Sequence, residues 1–94
     1  MDDTELYRKY RQFIEGLADE RRSTELSLTT LHALLRQFES EAGALEPAAA
    51  AFVRDEIADQ LEHEALRAIS RHRRVVLLAA VKGFDGMSFA VVKS

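Results

Sequence analysis

Cysteine and tryptophan are absent from this 94-residue chain, and proline occurs once, at Pro47. No disulfide, thiolate metal site or cysteine nucleophile can form. Long apolar runs are also missing. The longest, Val75 to Val81, spans seven residues, whereas a membrane helix needs about 20. The opening Met1-Asp2-Asp3-Thr4-Glu5 is acidic and lacks the basic and apolar regions of a secretory signal, so a cytoplasmic location is expected. With 47% hydrophobic and 31% charged residues, the chain is too apolar for a disordered tail and suits one folded domain over residues 1–94.

What is present is a strong charge asymmetry. Residues 1–66 carry 7 Lys/Arg against 15 Asp/Glu, a net −8, and residues 67–94 carry 6 against 1, a net +5. Opposite patches steer encounter and fix orientation, so the asymmetry bears on association and not on fold.

Apolar spacing is helical almost throughout. Leu6, Tyr10, Phe13 and Leu17 recur at intervals of 4, 3 and 4; Leu28, Leu31, Leu35, Phe38, Ala42 and Leu45 continue the alternation, which is the spacing of a coiled-coil seam. Between them, residues 19–25 are polar without a Pro or Gly, so residues 4–42 form one helix or two. A break near 20–25 would be capped by Ser23 or Ser27. Gly43 and Pro47 predict a turn at 43–46, because Gly can close a helix in the left-handed conformation and Pro at the first helical position loses no hydrogen bond.

From Pro47 onward, Val53, Ile57, Leu61, Ala65, Ala68, Ile69, His72, Val75, Val76 and Ala79 fall on one face at 100° per residue. Carried to Lys82 and stopped by Gly83, this long helix 47–82 has about 36 residues and measures ~54 Å. A compact chain of this length has a diameter of only roughly 30 Å. Such a rod requires an elongated hairpin that buries its seam against a second copy. The self-association seam then comprises Leu28, Leu31, Leu35, Phe38, Ile57, Leu61, Ile69, His72 and Val76, with residues 83–94 as a short extended tail. The alternative is an α+β fold, in which the β-branched runs flanking Gly83-Phe84-Asp85-Gly86 pair as a hairpin over 75–92.

Chemistry is scarce. No serine lies in a nucleophile elbow, and no His has Glu three residues before it, as carboxylate-bridged metal bundles require. Asp55, Asp59 and His63 share a helix face, which reads as a solvated surface, and the carboxylates are dispersed without an acid/base dyad. No cofactor and no metal are expected, and the chain reads as a non-enzyme. His72, inside the apolar seam, would be a paired core imidazole or a pH-sensitive latch. Gly83-Phe84-Asp85-Gly86 has the spacing of a backbone-clamping nucleic-acid loop, but Asp85 would repel phosphate.

The binding candidates are basic. Arg67, Arg71, Arg74 and Lys82 fall within a ~120° sector of a continuous helix, with Arg73 to one side. The expected fold is therefore all-α, a long helical hairpin or small helical bundle, dimeric, with a C-terminal tail. The expected function is non-enzymatic protein binding, as an adaptor, inhibitor or regulatory subunit, through Arg67, Arg71, Arg73, Arg74 and Lys82 toward an acidic protein partner. The alternative is a small nucleic-acid-binding regulator using residues 67–82. It ranks lower because the whole chain is acidic and few aromatics interleave with the arginines.

Overall fold

The computed structural model describes residues 2–18 and 27–89, without the side chains of Leu17 and Ala18. Among the described residues four helices form: α1 (Asp3–Ala18), α2 (Leu28–Ala42), α3 (Pro47–Arg67) and α4 (Arg71–Asp85). None is long and apolar enough to cross a membrane. Residues 75–85 are helical and no strand occurs in the described chain, so the 75–92 hairpin is not the fold; Ala90–Ser94, like Ser23 and the 20–25 break, lie outside the described residues.

α1, α2 and α4 each start where a side chain serves an orphaned amide, and α3 starts on Pro47 without a side-chain cap. The Asp2 carboxylate accepts from the Glu5 amide at 2.8 Å, and the Ser27 hydroxyl accepts from the Thr30 amide at 3.2 Å, making Ser27 the N-cap of α2. The chain then turns through Ala44 and Leu45, whose amides donate to the carbonyls of Glu41 and Ala42, and Pro47 occupies the first turn of α3. Gly43 does not use its left-handed freedom here: φ is −62°. The turn is closed by successive three-residue bonds, which any small residue permits.

The continuous helix expected over 47–82 is interrupted. Ala68 is extended at φ −67° and ψ 131°, and Ser70, also extended, caps α4 by accepting from the Arg73 amide. The Arg74 guanidinium reaches back to the Ala68 carbonyl at 2.9 Å, satisfying an oxygen left over at the end of α3. Serine competes for backbone hydrogen bonds within a helix, and here that preference produces a corner without Gly or Pro. The corner replaces one rod of ~54 Å by segments of about 31 and 22 Å at 1.5 Å per residue, and the molecule measures 46 × 22 × 20 Å. The length that required a second copy to shelter it is therefore gone.

α3 and α4 fold back antiparallel. The Arg54 guanidinium, early in α3, donates to the Met87 carbonyl just beyond α4 at 2.6 Å. α1 packs on α3 and α2 on α4, with lighter contact between α1 and α2. Tyr10 of α1 meets Phe38 of α2 edge to face at 5.1 Å, so these two helices lie side by side on the same face of the α3–α4 hairpin. The architecture is two layers with one core between them. At its centre Phe38 touches Tyr10, Phe84 and Phe89 in edge-on geometry, around which Leu6, Ile14, Leu31, Leu34, Ile57, Leu61 and Leu77 are buried.

In the first helices Leu6, Tyr10, Leu31, Phe38 and Ala42 of the expected stripes are buried, and the departures are local. Ile14 is buried where Phe13 was expected, and Leu34 is buried while Leu35 is half-covered. Gly83 is not a stop: α4 continues through it to Asp85. Beyond α4, Met87 is buried and Phe89 packs against the core, so the part of the tail that the structure describes is docked.

Candidate functional site

Among the described residues no charged side chain is fully buried, and Tyr10 is buried with its hydroxyl hydrogen-bonded to Glu41. No three acidic or imidazole groups there are placed to hold a metal ion. Between α1 and α2 a largely apolar groove of ≈ 320 Å³ is lined by Phe13, Thr29, Thr30, Ala33, Leu34 and Gln37. A shallower depression of ≈ 500 Å³ beside it is lined by Thr29, His32, Ala33 and Arg36. Neither gathers an acid and a base around one point, which is what a reacting atom would need.

The most connected polar group is Glu41 at the end of α2. It accepts from the Lys9 ammonium at 2.8 and 2.9 Å, from the Tyr10 hydroxyl at 3.0 Å and from the Gln37 amide at 2.9 Å. The Lys9 hydrogen bonds, helped by those of Gln37 and Tyr10, hold its carboxyl below the usual range against a smaller opposing effect of burial. Burial raises the Tyr10 hydroxyl, and its hydrogen bond to and charge repulsion from Glu41 raise it further. These groups tie α1 to α2 and are fully engaged with one another. Their arrangement is a clasp.

The seam residues divide. Leu31, Phe38, Ile57, Leu61 and Val76 are buried inside this one chain, and Leu35 is half-buried against α4. Leu28, Ile69 and His72 stand outside the core. The reading of His72 as a core imidazole or buried latch rested on an apolar surrounding; the corner at 68–70 turns that residue onto the exposed side of α4. Its phase in a continuous helix does not carry across the break.

The basic residues separate as well. Arg67 remains on α3, 3.9 Å from Glu64. Arg74 is committed to the corner through Ala68, and Arg73 is half-buried. Arg71 and Lys82 are exposed on α4, and no ion pair within the described residues engages either. Periodicity places them at i and i+11, with Val75 and Leu78 at i+4 and i+7, all within about 60° of one another. Val75 is 58% and Leu78 38% exposed. Arg71, Val75, Leu78 and Lys82 therefore form a ridge on the outer face of α4, with its cations at the ends and its apolar residues between them. Sequence reasoning assigned Val75 to the interior because it continued the stripe across Ser70. The signal that finds the ridge is the Ser70 cap itself, since restarting the helix there resets which positions face out.

The outer face of α3 is the counterpart. Phe52, Asp55, Asp59, His63 and Leu66 share one face and are exposed, with Phe52 at 62% and Leu66 at 70%. Of the large hydrophobics exposed among the described residues, Phe52, Leu66, Ile69, Val75 and Leu78 lie on this hairpin or its corner, and Phe13 and Leu28 on the other layer. α3 carries five acids against two bases and α4 four bases against one acid, so the hairpin pairs an acidic helix with a basic one, and the exposed Asp55 and Asp59 of the first are matched by the exposed Arg71 and Lys82 of the second. No family model, curated protein or solved structure matches the chain in comparisons with each.

Proposed function

We propose that the protein is a non-enzymatic protein-binding module, an adaptor, inhibitor or regulatory subunit acting in the cytoplasm, whose docking surface is the outer ridge of α4. The observation that carries this reading is the exposure of Val75 and Leu78 between the unpaired cations Arg71 and Lys82. Exposed apolar residues rimmed by charge characterise surfaces that a partner desolvates. The cations select an acidic partner by steering it, while the apolar pair supplies the burial that holds it. Arg74 supports the ridge through the corner, while Arg67 at the end of α3 and half-buried Arg73, about 200° round α4 from Arg71, stand off it. A site for catalysis is not favoured, since the polar side chains are spread over the surface and the groove between α1 and α2 lacks convergent titratable groups.

The test is a fluorescence-anisotropy titration of a labelled acidic amphipathic helical peptide built from Glu and Leu. Micromolar binding is expected for the wild-type chain and a loss of at least tenfold for Val75→Asp or Arg71→Glu. Equal binding by these variants, or none by the wild type, removes the reading. The second arm uses duplex DNA at two salt concentrations. Binding there with a log-log slope near −0.9 per neutralised phosphate would favour the nucleic-acid alternative instead.

A further inference from the structure

We infer that the acidic surface this ridge takes is the outer face of α3 in a second copy of the chain, in a two-fold dimer whose axis runs parallel to the α3–α4 hairpin. The inference rests on the α4 ridge being a protein-docking surface. The two halves of the outer hairpin face complement each other: α3 offers Asp55, Asp59 and Glu62 between exposed Phe52 and Leu66, and α4 offers Arg71 and Lys82 around exposed Val75 and Leu78.

Symmetry limits how two such faces can meet. A two-fold axis across the helices would oppose α3 to α3 and α4 to α4, stacking like charges. An axis along the hairpin opposes α3 of each copy to α4 of the other, antiparallel. Rotation about that axis leaves every residue at its own height along the hairpin, so the register between copies is the register within one chain. That register is set by the Arg54–Met87 contact at 2.6 Å and by the corner at 68–70. At matching heights Lys82 faces the stretch that holds Asp55 and Asp59, while Val75 and Leu78 face His63 and Leu66. Lys82 meets a carboxylate and Val75 meets Leu66 at the same time, with Arg71 at the height of the corner. A face about 22 Å long and two helices wide buries on the order of 1,000 Å² in total, below the roughly 1,200 Å² of standard stable interfaces, so a weak, concentration-dependent dimer is expected. The cores are already filled inside each chain, so this pairing uses only surfaces that remain exposed.

Charge-swap sedimentation tests it. Wild-type protein between about 1 and 200 µM should pass from monomer to twice the monomer mass. The pair Arg71→Glu with Lys82→Glu, and separately the pair Asp59→Lys with Glu62→Lys, should each weaken self-association at least tenfold while circular dichroism shows unchanged helicity. Mixing the two variants should restore a one-to-one dimer, because both interhelical contacts then unite opposite charges. A wild type that remains monomeric throughout, reversals that leave the mass unchanged, or folded variants that fail to pair on mixing each overturn the dimer. If the wild type is monomeric yet binds the acidic peptide, the second-copy assignment falls and the docking ridge stands; if the peptide is not bound either, both fall.

Discussion

A β-carbon built on Gly83 would lie 2.7 Å from Leu35 Cδ1 and 3.1 Å from Cδ2, which explains why α4 carries a glycine in its interior. The absent side chain lets α2 approach α4 closely and lets Leu35 fill the space. Glycine costs a helix interior about 1 kcal/mol relative to alanine. Gly83→Ala should therefore change stability little, as improved helix propensity offsets the displacement of Leu35. Gly83→Val should cost about 2–3 kcal/mol by overpacking. Urea denaturation of both, alone and combined with Leu35→Ala, should show the loss shrinking when Leu35 is trimmed; purely additive effects would show that the contact is not the cause.

Ser70 and Arg74 together build the corner between α3 and α4. Ser70→Ala should lower stability by about 1 kcal/mol through loss of the cap, and Arg74→Met by a similar amount, about 1 kcal/mol, because the Ala68 carbonyl loses its donor. In a domain of this size each should lower Tm by roughly 4–8 °C. An unchanged thermal midpoint for both would mean that packing alone sets the corner.

The clasp between Lys9, Tyr10 and Glu41 predicts pH dependence at both ends of the scale. The Glu41 carboxyl titrates below its unfolded value because of Lys9 first, then Gln37 and Tyr10. Its contribution is thus complete above about pH 4.5 and is lost as pH falls through the lower folded value. The Tyr10 hydroxyl is raised, by burial first and by Glu41 second. Its contribution is complete below about pH 10 and is lost as pH rises beyond that. Urea midpoints measured from pH 2.5 to 11 should show Glu41→Gln flattening the acid limb and Tyr10→Phe the alkaline limb. Curves that run parallel to the wild type would place the titrating groups elsewhere.

Phe38 contacts three other rings, Tyr10, Phe84 and Phe89, which belong to α1, α4 and the segment after it. Phe38→Ala should cost about 3–5 kcal/mol by leaving a cavity where both layers meet. Phe52→Ala on the exposed face of α3 should cost under about 0.5 kcal/mol. Equal losses at the two positions, measured by denaturant unfolding, would contradict the assignment of core and surface.

Much of the fold was legible in the residues. The helical spacing, the Ser27 cap and Pro47 at the head of α3 are local features, and the structure has helices with these boundaries. The i+4 ladder of Val53, Ile57, Leu61 and Ala65 is buried, because within one unbroken helix the phase of a stripe directly identifies its inner face. The candidate site was legible only in part. Arg71 and Lys82 are exposed on the face where a helical reading places them, but Ile69 and His72, expected in the seam, and Val75, expected on its apolar stripe, are turned outward by the corner; Ile69 is 86% exposed. In α1 and α2 the inner face includes Ile14 and Leu34, one residue from the expected stripe, since these helices have apolar residues at adjacent positions and a single helix offers no basis for choosing between them.

From the amino-acid order alone follow the helical composition, the capping signals and the division into acidic and basic stretches, because each depends on interactions within a few residues along the chain. Tertiary packing decided where the second half of the chain bends, which of two adjacent apolar residues turns inward, and that most of the presumed dimer seam is the interior of one molecule. The physical reason is that a stripe specifies burial without specifying what covers it. Once Ser70 lets α4 fold back and Gly83 lets α2 settle against it, the chain covers that stripe itself.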